Sequence, residues 1–415
     1  MGDIGLRLMS VVGVLVLLGL ALALSSNRRR FPLRTVLWGL GLQFAFALLI
    51  LRTTVGRVLF DGANAAFNTL IGFADKGAEF VFGKLASGES PAGFVLAFRV
   101  LPVIIFFASL MSILYHLGVM QRVVAGMAWV MRRCLRVSGA EALVAATEVF
   151  VGMTEAPLAI RPYLARLTES ELMAIMTAGL ANIAGSVMAL YVSFGIDAGH
   201  LMCASVMSAP AALAIAKIIV PETGQPETAT TGRIPYERAT NNVIDAAAVG
   251  ATDGLRLALN VATMLIAFIA LLALVNALLG GAHDLALRWL GWGGFPASLE
   301  EILGWLFRPL AFVIGVPWGE AGTVGSLMGV KTGLNELIAY QKLAALKAEL
   351  SPRAYTIATY ALCGFANFGS LAIQIGGVSA LVPERRQDLS RLSLRALAAG
   401  TLATFLTAAI AGILL

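Results

Sequence analysis

Carboxylates in apolar surroundings are the groups of this chain that are best placed to do chemistry. Glu155 and Glu336 stand where short polar segments interrupt apolar stretches, and Glu148 lies one helical turn before the first interruption. A carboxylate near the middle of a bilayer is costly, so it is by default a candidate group for binding a polar solute or a cation. Glu320 is a similar carboxylate, although a position at the membrane interface explains it equally well.

Neutral polar side chains accompany the carboxylates at the same interruptions, and Phe365 adds an aromatic ring. A single asparagine in a membrane helix is explained equally well by helix packing, worth about 0.6 kcal/mol. That explanation is weaker for several polar residues clustered at two chain breaks. Together these residue types predict a pocket for a ligand with several hydroxyl groups and a flat heterocycle. The neutral polar residues are Thr154, Asn182, Asn335, Asn367 and Ser370.

One series of signals occurs twice along the chain. In the first half, an interruption at Gly152–Pro157 is followed by a capping-box pattern at Thr168–Glu171 and by a polar segment at Leu180–Ser186. The order of these features indicates an internal repeat, whose parallel or inverted orientation stays open. The corresponding positions of the second half are Gly333–Glu336, Ser351–Pro352 and Gly364–Ser370.

Paired interruptions in two repeats predict where a transporter binds its substrate. Irregular backbone persists at membrane depth only where protein or a water-filled cavity satisfies its polar groups. The ends of broken helices then supply oriented N–H and C=O groups, which suit polar substrates and cations. We therefore predict two re-entrant hairpins, near Ala140–Leu164 and near Leu303–Tyr340, each of which meets a broken helix.

Membrane-spanning helices are the elements that position these residues. Hydrophobic residues make up 59% of the 415 residues and charged residues 13%, against roughly a quarter charged in soluble domains. The mean hydropathy is +0.85. About eight segments reach the roughly 20 apolar residues that a spanning helix needs, which predicts an all-α polytopic membrane protein. The predicted spans are Ile4–Leu24, Leu33–Leu51, Phe94–Leu117, Leu172–Phe194, Leu201–Val220, Leu257–Leu279, Tyr355–Ile375 and Leu392–Leu415.

The first span resembles a signal peptide around Ala21–Ala23, but its leader contains Asp3 and Arg7, and Arg28–Arg30 follow directly. We expect a retained helix with its N-terminus outside and the arginines in the cytoplasm. A second basic cluster within Arg122–Arg136 is expected on the same side. The net charge of +6 therefore indicates orientation rather than binding to nucleic acid.

The polar stretch Pro221–Asn242 has the composition of an exposed linker. The mildly amphipathic segment Asn242–Leu257 is expected to lie along the membrane surface. The predicted domains are N-terminal scaffold helices and interfacial segments in 1–135, a first transport-domain repeat in 136–220, a linker with a surface helix and a scaffold helix in 221–300, and a second repeat in 301–415.

Several other functional classes receive less support. The scattered Cys134, Cys203 and Cys363 form neither a disulfide framework nor a zinc-binding spacing, so no metal or redox cofactor is expected. An intramembrane enzyme would need a nucleophile with a base, or a metal-binding motif, and neither pattern occurs. A channel rarely needs two broken-helix repeats around one polar site. A transporter of another small polar substrate, such as a sugar or an amino acid, stays open.

Several segments resemble the concentrative nucleoside transporter family. Residues 329–340 read Gly-Val-Lys-Thr-Gly-Leu-Asn-Glu-Leu-Ile-Ala-Tyr and are similar to that family's signature Gly-x-Lys-x-x-x-Asn-Glu-Phe-x-Ala-Tyr. Residues 363–370 match its Cys-Gly-Phe-Ala-Asn-x-x-Ser motif, and Thr154–Leu158 match its first hairpin. Residues 242–248 are also typical of the family. The resemblance extends from about Phe94 to the C-terminus.

The resemblance implies a homotrimeric symporter that takes up nucleosides together with a cation. In each protomer a transport domain, which carries both hairpins and both broken helices, would move against a scaffold as an elevator. By matched position, Thr154 and Glu155 meet the nucleobase directly or through water, and Phe365 and Val187 pack on it. The residues matched to the ribose hydroxyls are Glu336, Asn367 and Ser370.

Three residues depart from the family pattern. Met153 stands where the family usually has a glutamine that reads the base, so the preference between purines and pyrimidines stays open. Glu148 stands where sodium-coupled members have asparagine, and Asn182 where they have serine or threonine. In those members these positions bind sodium together with backbone carbonyls near Val151 and Ile183. Here Glu148 either ligates sodium or itself carries a coupling proton, as some family members use protons.

The sequence also predicts the membrane in which the chain resides and the partners that it binds. The lack of a long soluble domain and of a loop rich in glycosylation sites predicts a bacterial inner membrane protein. We expect no cofactor beyond the coupling H⁺ or Na⁺. The expected partners are a nucleoside, the lipid bilayer and two further copies of the chain.

Overall fold

The computed structural model describes residues 2–86, 95–99, 101–229, 240–291 and 294–415. Its regular elements within these ranges are helices. Short 3₁₀ helices connect them, the longest of which is Ala156–Arg166. The α-helices are α1 Asp3–Ala23, α2 Leu33–Arg52, α3 Thr54–Phe82, α4 Leu96–Arg99, α5 Leu101–His116, α6 Val119–Leu135, α7 Gly139–Thr147, α8 Glu169–Ala181, α9 Gly185–Ser193, α10 Ala198–Ile219, α11 Val243–Leu290, α12 Leu299–Val313, α13 Ala321–Gly333, α14 Glu336–Ala345, α15 Pro352–Leu362, α16 Phe368–Leu381 and α17 Arg386–Leu414.

The described helices include 7 that are long and apolar enough to cross a membrane, or up to 8 if one bent pair is counted as a span. They confirm seven of the predicted spans, although Phe94 lies outside the described residues. The segment Tyr355–Ile375, which was predicted to contain a break, consists of the two shorter helices α15 and α16. Burial locates the core, since the apolar window of α8 and α9 is 94% buried and that of α11 only 17%.

The first predicted hairpin and its broken helix have the expected form. Helix α7 begins with a capping box between Ser138 and Glu141, and the chain leaves the helical conformation shortly after Thr147. The predicted capping box between Thr168 and Glu171 starts α8. Extended backbone at Asn182 then separates α8 from α9, so the helix is broken in the middle of an apolar stretch.

The second hairpin consists of α13 and α14, which are separated by Leu334 and Asn335. The predicted range of this hairpin begins earlier, at Leu303. That residue belongs to α12, which is bent by 119° from the following helix. Gly315 lies at this bend with a φ of +105°, a left-handed conformation that glycine adopts without steric cost. The bend therefore makes α12 a separate element that packs against α13.

Helix α11 is longer than expected, because the predicted surface helix Asn242–Leu257 forms its first part. Gly250 and Gly254 stand four residues apart on one face of this part of α11, and small residues let another helix approach closely. A Cβ atom on Gly250 would lie 2.6 Å from the Cβ of Ser112 in α5, and one on Gly254 would lie 2.8 Å from the Cβ of Ala108. This part of α11 therefore packs along α5 rather than forming a separate helix. Residues 230–239 of the predicted linker lie outside the described part of the chain.

A buried ion network joins the ends of α7, α8 and α10. The ammonium of Lys217, whose side chain is only 7% exposed, pairs with Glu141 and lies 3.2 Å from a carboxylate oxygen of Glu222. It also donates to the hydroxyl of Ser170 at 2.9 Å. Thr168 donates to Glu222 at 2.9 Å. The network therefore fixes the start of the first hairpin relative to the broken helix that follows it.

Replacing Lys217 by methionine is expected to destabilise this arrangement. The substitution leaves the Glu141 carboxylate buried without its counter-ion, a change that typically costs about 3–5 kcal/mol. Thermal unfolding in detergent should show a clearly lower Tm. Lys347→Met, at an exposed position just after the second hairpin, is the matched control and should leave Tm unchanged. Equal Tm values for the two variants would contradict a stabilising role of the network.

Candidate functional site

The breaks of the two broken helices contact each other through their backbones. The N–H of Phe365 donates to the carbonyl of Asn182 at 3.2 Å, and the N–H of Gly185 donates to the carbonyl of Phe150 at 3.0 Å. The approach is close, because a Cβ atom on Gly364 would lie 2.8 Å from the carbonyl oxygen of Ala181. Irregular backbone from the first hairpin and from both repeats therefore satisfies its hydrogen bonds internally.

Glu336 lies next to this crossing and has two side-chain partners. Its Oε1 accepts from the hydroxyl of Tyr191 at 3.0 Å, and its Oε2 accepts from Nδ2 of Asn367 at 2.8 Å. The side chain stands in the first turn of α14, where the helix dipole favours a negative charge. Asn367 in turn accepts from the backbone N–H of Ser370 at 2.7 Å. The structure therefore brings together the three residues that the sequence assigns to the ribose.

Tyr191 also belongs to this cluster, although it lies outside the sequence motifs that indicate the site. Its ring stacks on Tyr340, with ring centroids 4.3 Å apart, and both side chains are fully buried. Tyr340 donates to the carbonyl of Thr359 at 2.7 Å. One signal was available, because Tyr191 lies one helical turn after Val187 and therefore on the same face of α9.

Lys331, the lysine of the 329–340 motif, donates its hydrogen bonds to groups beside the second break and not to a carboxylate. Its ammonium donates to the carbonyl of Ala361 at 3.0 Å and to the hydroxyl of Thr404 at 2.7 Å, and the residue is 0% exposed. Carbonyls in the last turn of a helix lack helical partners. Lys331 therefore satisfies the end of α15, directly before the segment that carries Phe365 and Asn367.

The tip of the first hairpin lies against α16. Met153 is buried, Thr154 is half-buried and the side chain of Glu155 is exposed. Thr154 packs so closely on α16 that a Cβ atom on Gly377 would lie 2.6 Å from its Cγ2. Thr154 and Glu155, which are matched to the nucleobase, therefore lie at the hairpin tip beside α16, whose start carries Asn367 and Ser370, two of the residues matched to the ribose.

Gly377→Ala is expected to weaken nucleoside binding, because the new methyl group displaces Thr154 from its position on α16. Overpacking of this kind costs about 1–3 kcal/mol, so the Kd should rise about fivefold or more. Isothermal titration calorimetry on the detergent-solubilised protein measures this change. Gly376→Ala, on the adjacent residue, is the matched control, because a Cβ atom there meets nothing within 4 Å. An unchanged Kd in Gly377→Ala would separate Thr154 from the binding site.

The residues predicted to bind the coupling ion lie just before the tip of the first hairpin and at the first break. Glu148 and Asn182 are each 1% exposed. Glu148 Oε1 and Asn182 Oδ1 accept no hydrogen bond from any described residue, and the same holds for the carbonyl oxygens of Val151 and Ile183. Asn182 uses its Nδ2 to donate to the carbonyl of Ala178 at 3.1 Å. Oxygen acceptors without donors are suited to a hard cation such as sodium.

Glu320 has a different role. Its two carboxylate oxygens accept from the backbone N–H and the hydroxyl of Ser351 at 2.6 and 2.7 Å. Ser351 is the N-cap of α15. Glu320 therefore joins the start of α13 to the start of α15 and lies outside the polar cluster around Glu336.

Comparisons with known proteins agree with this geometry. Family models described as the Na⁺ dependent nucleoside transporter C-terminus, its N-terminus, and a nucleoside recognition "Gate" match residues 200–412, 12–85 and 97–198. An uncharacterized transporter of Haemophilus influenzae is 44% identical, with 98% of this chain and 97% of the relative covered. Solute carrier family 28 member 3 of Mus musculus is also 44% identical, but this chain spans only 59% of its length.

A solved structure of a transporter is also similar to this chain over nearly its whole length. The transporter CNTnw in an inward-facing substrate-bound state superposes with a TM-score of 0.91 at 43% identity, with 98% of each chain covered. These relatives are transporters, so the comparisons give no support to the intramembrane enzyme considered above. The matches cover nearly the whole chain, and the repeats, breaks and polar cluster follow the family motifs. The chain is therefore a member of the concentrative nucleoside transporter family.

Proposed function

We propose that this protein is a secondary active transporter that imports nucleosides by symport with a cation. The observation that carries the proposal is the buried Glu336 carboxylate, oriented by Tyr191 and Asn367 at the junction of two broken helices. A carboxylate has about four acceptor sites, and these two partners leave about half of them for the hydroxyls of a ribose. Ser370, one turn into α16, adds a hydroxyl beside them.

The nucleobase is proposed to bind between the hairpin tip and the second break. Thr154 and Glu155 provide polar groups for the base, directly or through water, and the ring of Phe365 packs on its face. Val187 adds an apolar contact from α9. Met153 replaces an amide in this part of the pocket, which is expected to alter the preference between purines and pyrimidines.

Two ions are candidates for the coupling cation, and a separate observation favours each. Sodium is favoured by the oxygen acceptors of Glu148, Val151, Asn182 and Ile183, and by the family model for Na⁺ dependent transporters. A proton is favoured by Glu148 itself, because a carboxylate replaces the asparagine of sodium-coupled members. In both cases the cation site shares Asn182 with the backbone crossing that carries Phe365.

We further propose that the hairpins and broken helices move as one transport domain in each protomer of a homotrimer. The proposed setting is a bacterial inner membrane, with the remaining helices as scaffold. The hydrogen bonds between the two breaks support movement as one body. The apolar residues Ile266 and Leu278 of α11 are 75% and 67% exposed in the single protomer, which is consistent with contact to lipid or to another protomer.

Uptake of radiolabelled uridine and adenosine into proteoliposomes tests the proposal. A sodium gradient and a proton gradient are imposed separately, and empty liposomes serve as the control. We expect one gradient to drive saturable accumulation of chemically unchanged nucleoside, with deoxynucleosides competing less well than ribonucleosides. If neither gradient drives accumulation, the assignment of nucleosides as substrate fails. Competition by sugars or amino acids instead would identify another small polar substrate.

A further inference from the structure

Gln374 is a buried polar residue of α16 that neither the sequence motifs nor the proposed site includes. It stands between two isoleucines and is 0% exposed. Its Nε2 donates to the backbone carbonyl of Met176 in α8 at 3.2 Å. Its Oε1 accepts no hydrogen bond from any described residue. Gln374 therefore presents an unpaired acceptor oxygen inside the protein core.

The amide group of Gln374 lies against the backbone of Gly179 in α8. A Cβ atom on Gly179 would lie 2.3 Å from Gln374 Nε2, 2.8 Å from the Cβ of Met153 and 3.1 Å from Glu148 Oε1. These three side chains therefore meet beside the Cα atom of Gly179, where glycine has no side chain. The amide group of Gln374 and the carboxylate of Glu148 lie beside each other there, although they come from different repeats.

The chemistry of this cluster is that of a cation site. Glu148 Oε1 and Gln374 Oε1 are acceptors in residues that are at most 1% exposed, and so is Oδ1 of Asn182, which follows Gly179 by three residues in the sequence. None of these oxygens receives a hydrogen bond within the described chain. A buried acceptor without a partner is unfavourable. A small hard cation binds several oxygen ligands at once. A neutral hydrogen-bond donor, by contrast, pairs with one oxygen at a time.

We propose that the side-chain oxygen of Gln374 is a ligand of a coupling sodium ion and transmits its binding to the nucleoside site. This inference rests on the proposed function. Gln374 lies one helical turn after Ser370, and α16 begins at the cap formed by Asn367. A cation held by Glu148 and Gln374 fixes α16 against the first hairpin and thereby fixes Asn367 and Ser370, the two ribose-binding residues at the start of α16. Because coupling between sites is reciprocal, bound nucleoside then raises the affinity for the cation equally.

A purely structural role of Gln374 makes a different prediction. If Gln374 only joined α16 to α8 through Met176, its loss would weaken nucleoside binding equally with and without sodium. A ligand role affects only the sodium-dependent part. The decisive quantity is therefore the ratio of nucleoside Kd values in choline chloride and in sodium chloride at equal ionic strength.

Calorimetric titration of uridine and adenosine into the purified full-length protein measures this ratio, and thermal unfolding with sodium alone gives a second readout. We expect wild-type protein to bind at least about fivefold more tightly in sodium, and Gln374→Met to bring the ratio close to one. Gln374→Glu, which keeps the oxygen ligands, should retain sodium dependence. Gln43→Met is the matched control, because Gln43 is also 0% exposed and also donates to a backbone carbonyl.

Each outcome is informative. Loss of the sodium effect in Gln374→Met alone, with its sodium-free Kd unchanged, supports the proposal. A Kd ratio in Gln374→Met equal to that of the wild type overturns the proposal. Loss of the sodium effect in both Gln374→Met and Gln374→Glu also overturns it. If wild-type affinity depends on pH but not on sodium, the ligand role is overturned while symport survives with a proton. If the wild type binds no nucleoside, the proposed function itself fails.

Discussion

Glu336→Gln is expected to reduce nucleoside uptake by about tenfold or more, because a hydrogen bond to a charged group contributes roughly 1.5–3 kcal/mol. The amide loses the negative charge and turns one acceptor into a donor. That donor then faces Tyr191 or Asn367, which now donate to the carboxylate. The substitution therefore disturbs both the ribose contacts and the orientation of the group that makes them.

The measurement compares uptake rates and Kd values for uridine and adenosine in proteoliposomes and in detergent. Glu349→Gln, at an exposed position just after the same hairpin, is the matched control and should behave as the wild type. Tyr191→Phe should give a smaller loss of about 1 kcal/mol, because it removes a partner of Glu336 and not the carboxylate. Near-normal uptake by Glu336→Gln would remove Glu336 from the ribose site.

Glu148→Gln is expected to abolish accumulation driven by a proton gradient and to weaken accumulation driven by a sodium gradient. The side chain is buried next to Gly179 and supplies the carboxylate among the unpaired oxygens of the cation site. An amide of the same size carries no proton, and as a neutral oxygen ligand it holds sodium less tightly than a carboxylate does. Nucleoside exchange between the two sides of the membrane at equal concentrations should continue, because the residues at the ribose are unchanged.

The experiment applies each gradient separately to wild-type and variant proteoliposomes. Accumulation that is driven only by the proton gradient and lost in Glu148→Gln would identify Glu148 as the coupling carboxylate. Accumulation driven by sodium, with a weaker apparent affinity for sodium in the variant, would identify it as a sodium ligand. Full accumulation by Glu148→Gln under either gradient would exclude both roles, and Glu349→Gln again controls for the change of charge.

Most of the fold could be predicted from the sequence, because span length and hydropathy are local properties. The breaks were also predictable, since polar residues and glycine at Gly152–Pro157 and Gly364–Ser370 are conspicuous in apolar surroundings. Helix α11 was not predicted correctly. Its charged residues Asp245, Asp253 and Arg256 suggest a surface helix, whereas Gly250 and Gly254 determine how it packs, and their effect depends on the neighbouring α5.

The polar cluster was only partly predictable, and the reason is sequence distance. A tyrosine or a glutamine in an apolar helix suggests ordinary packing until its partner is known. Tyr191 and Glu336 are 145 residues apart, and Gln374 and Met176 are 198 residues apart. Glu336 and Asn367 could be identified because each also stands at a chain break.

The hydrogen bond between Phe365 and Asn182 has a consequence for how the protein is made. A ribosome adds roughly 5–20 residues per second, so Phe365 is synthesised about 10 to 40 seconds after Asn182. During that interval the carbonyl of Asn182 and the hydroxyl of Tyr191 lack their final partners. An unpaired backbone group is too costly to face lipid, so the first half must be kept hydrated or shielded until the second half arrives. Assembly in the cell therefore depends on the insertion machinery as well as on the finished contacts.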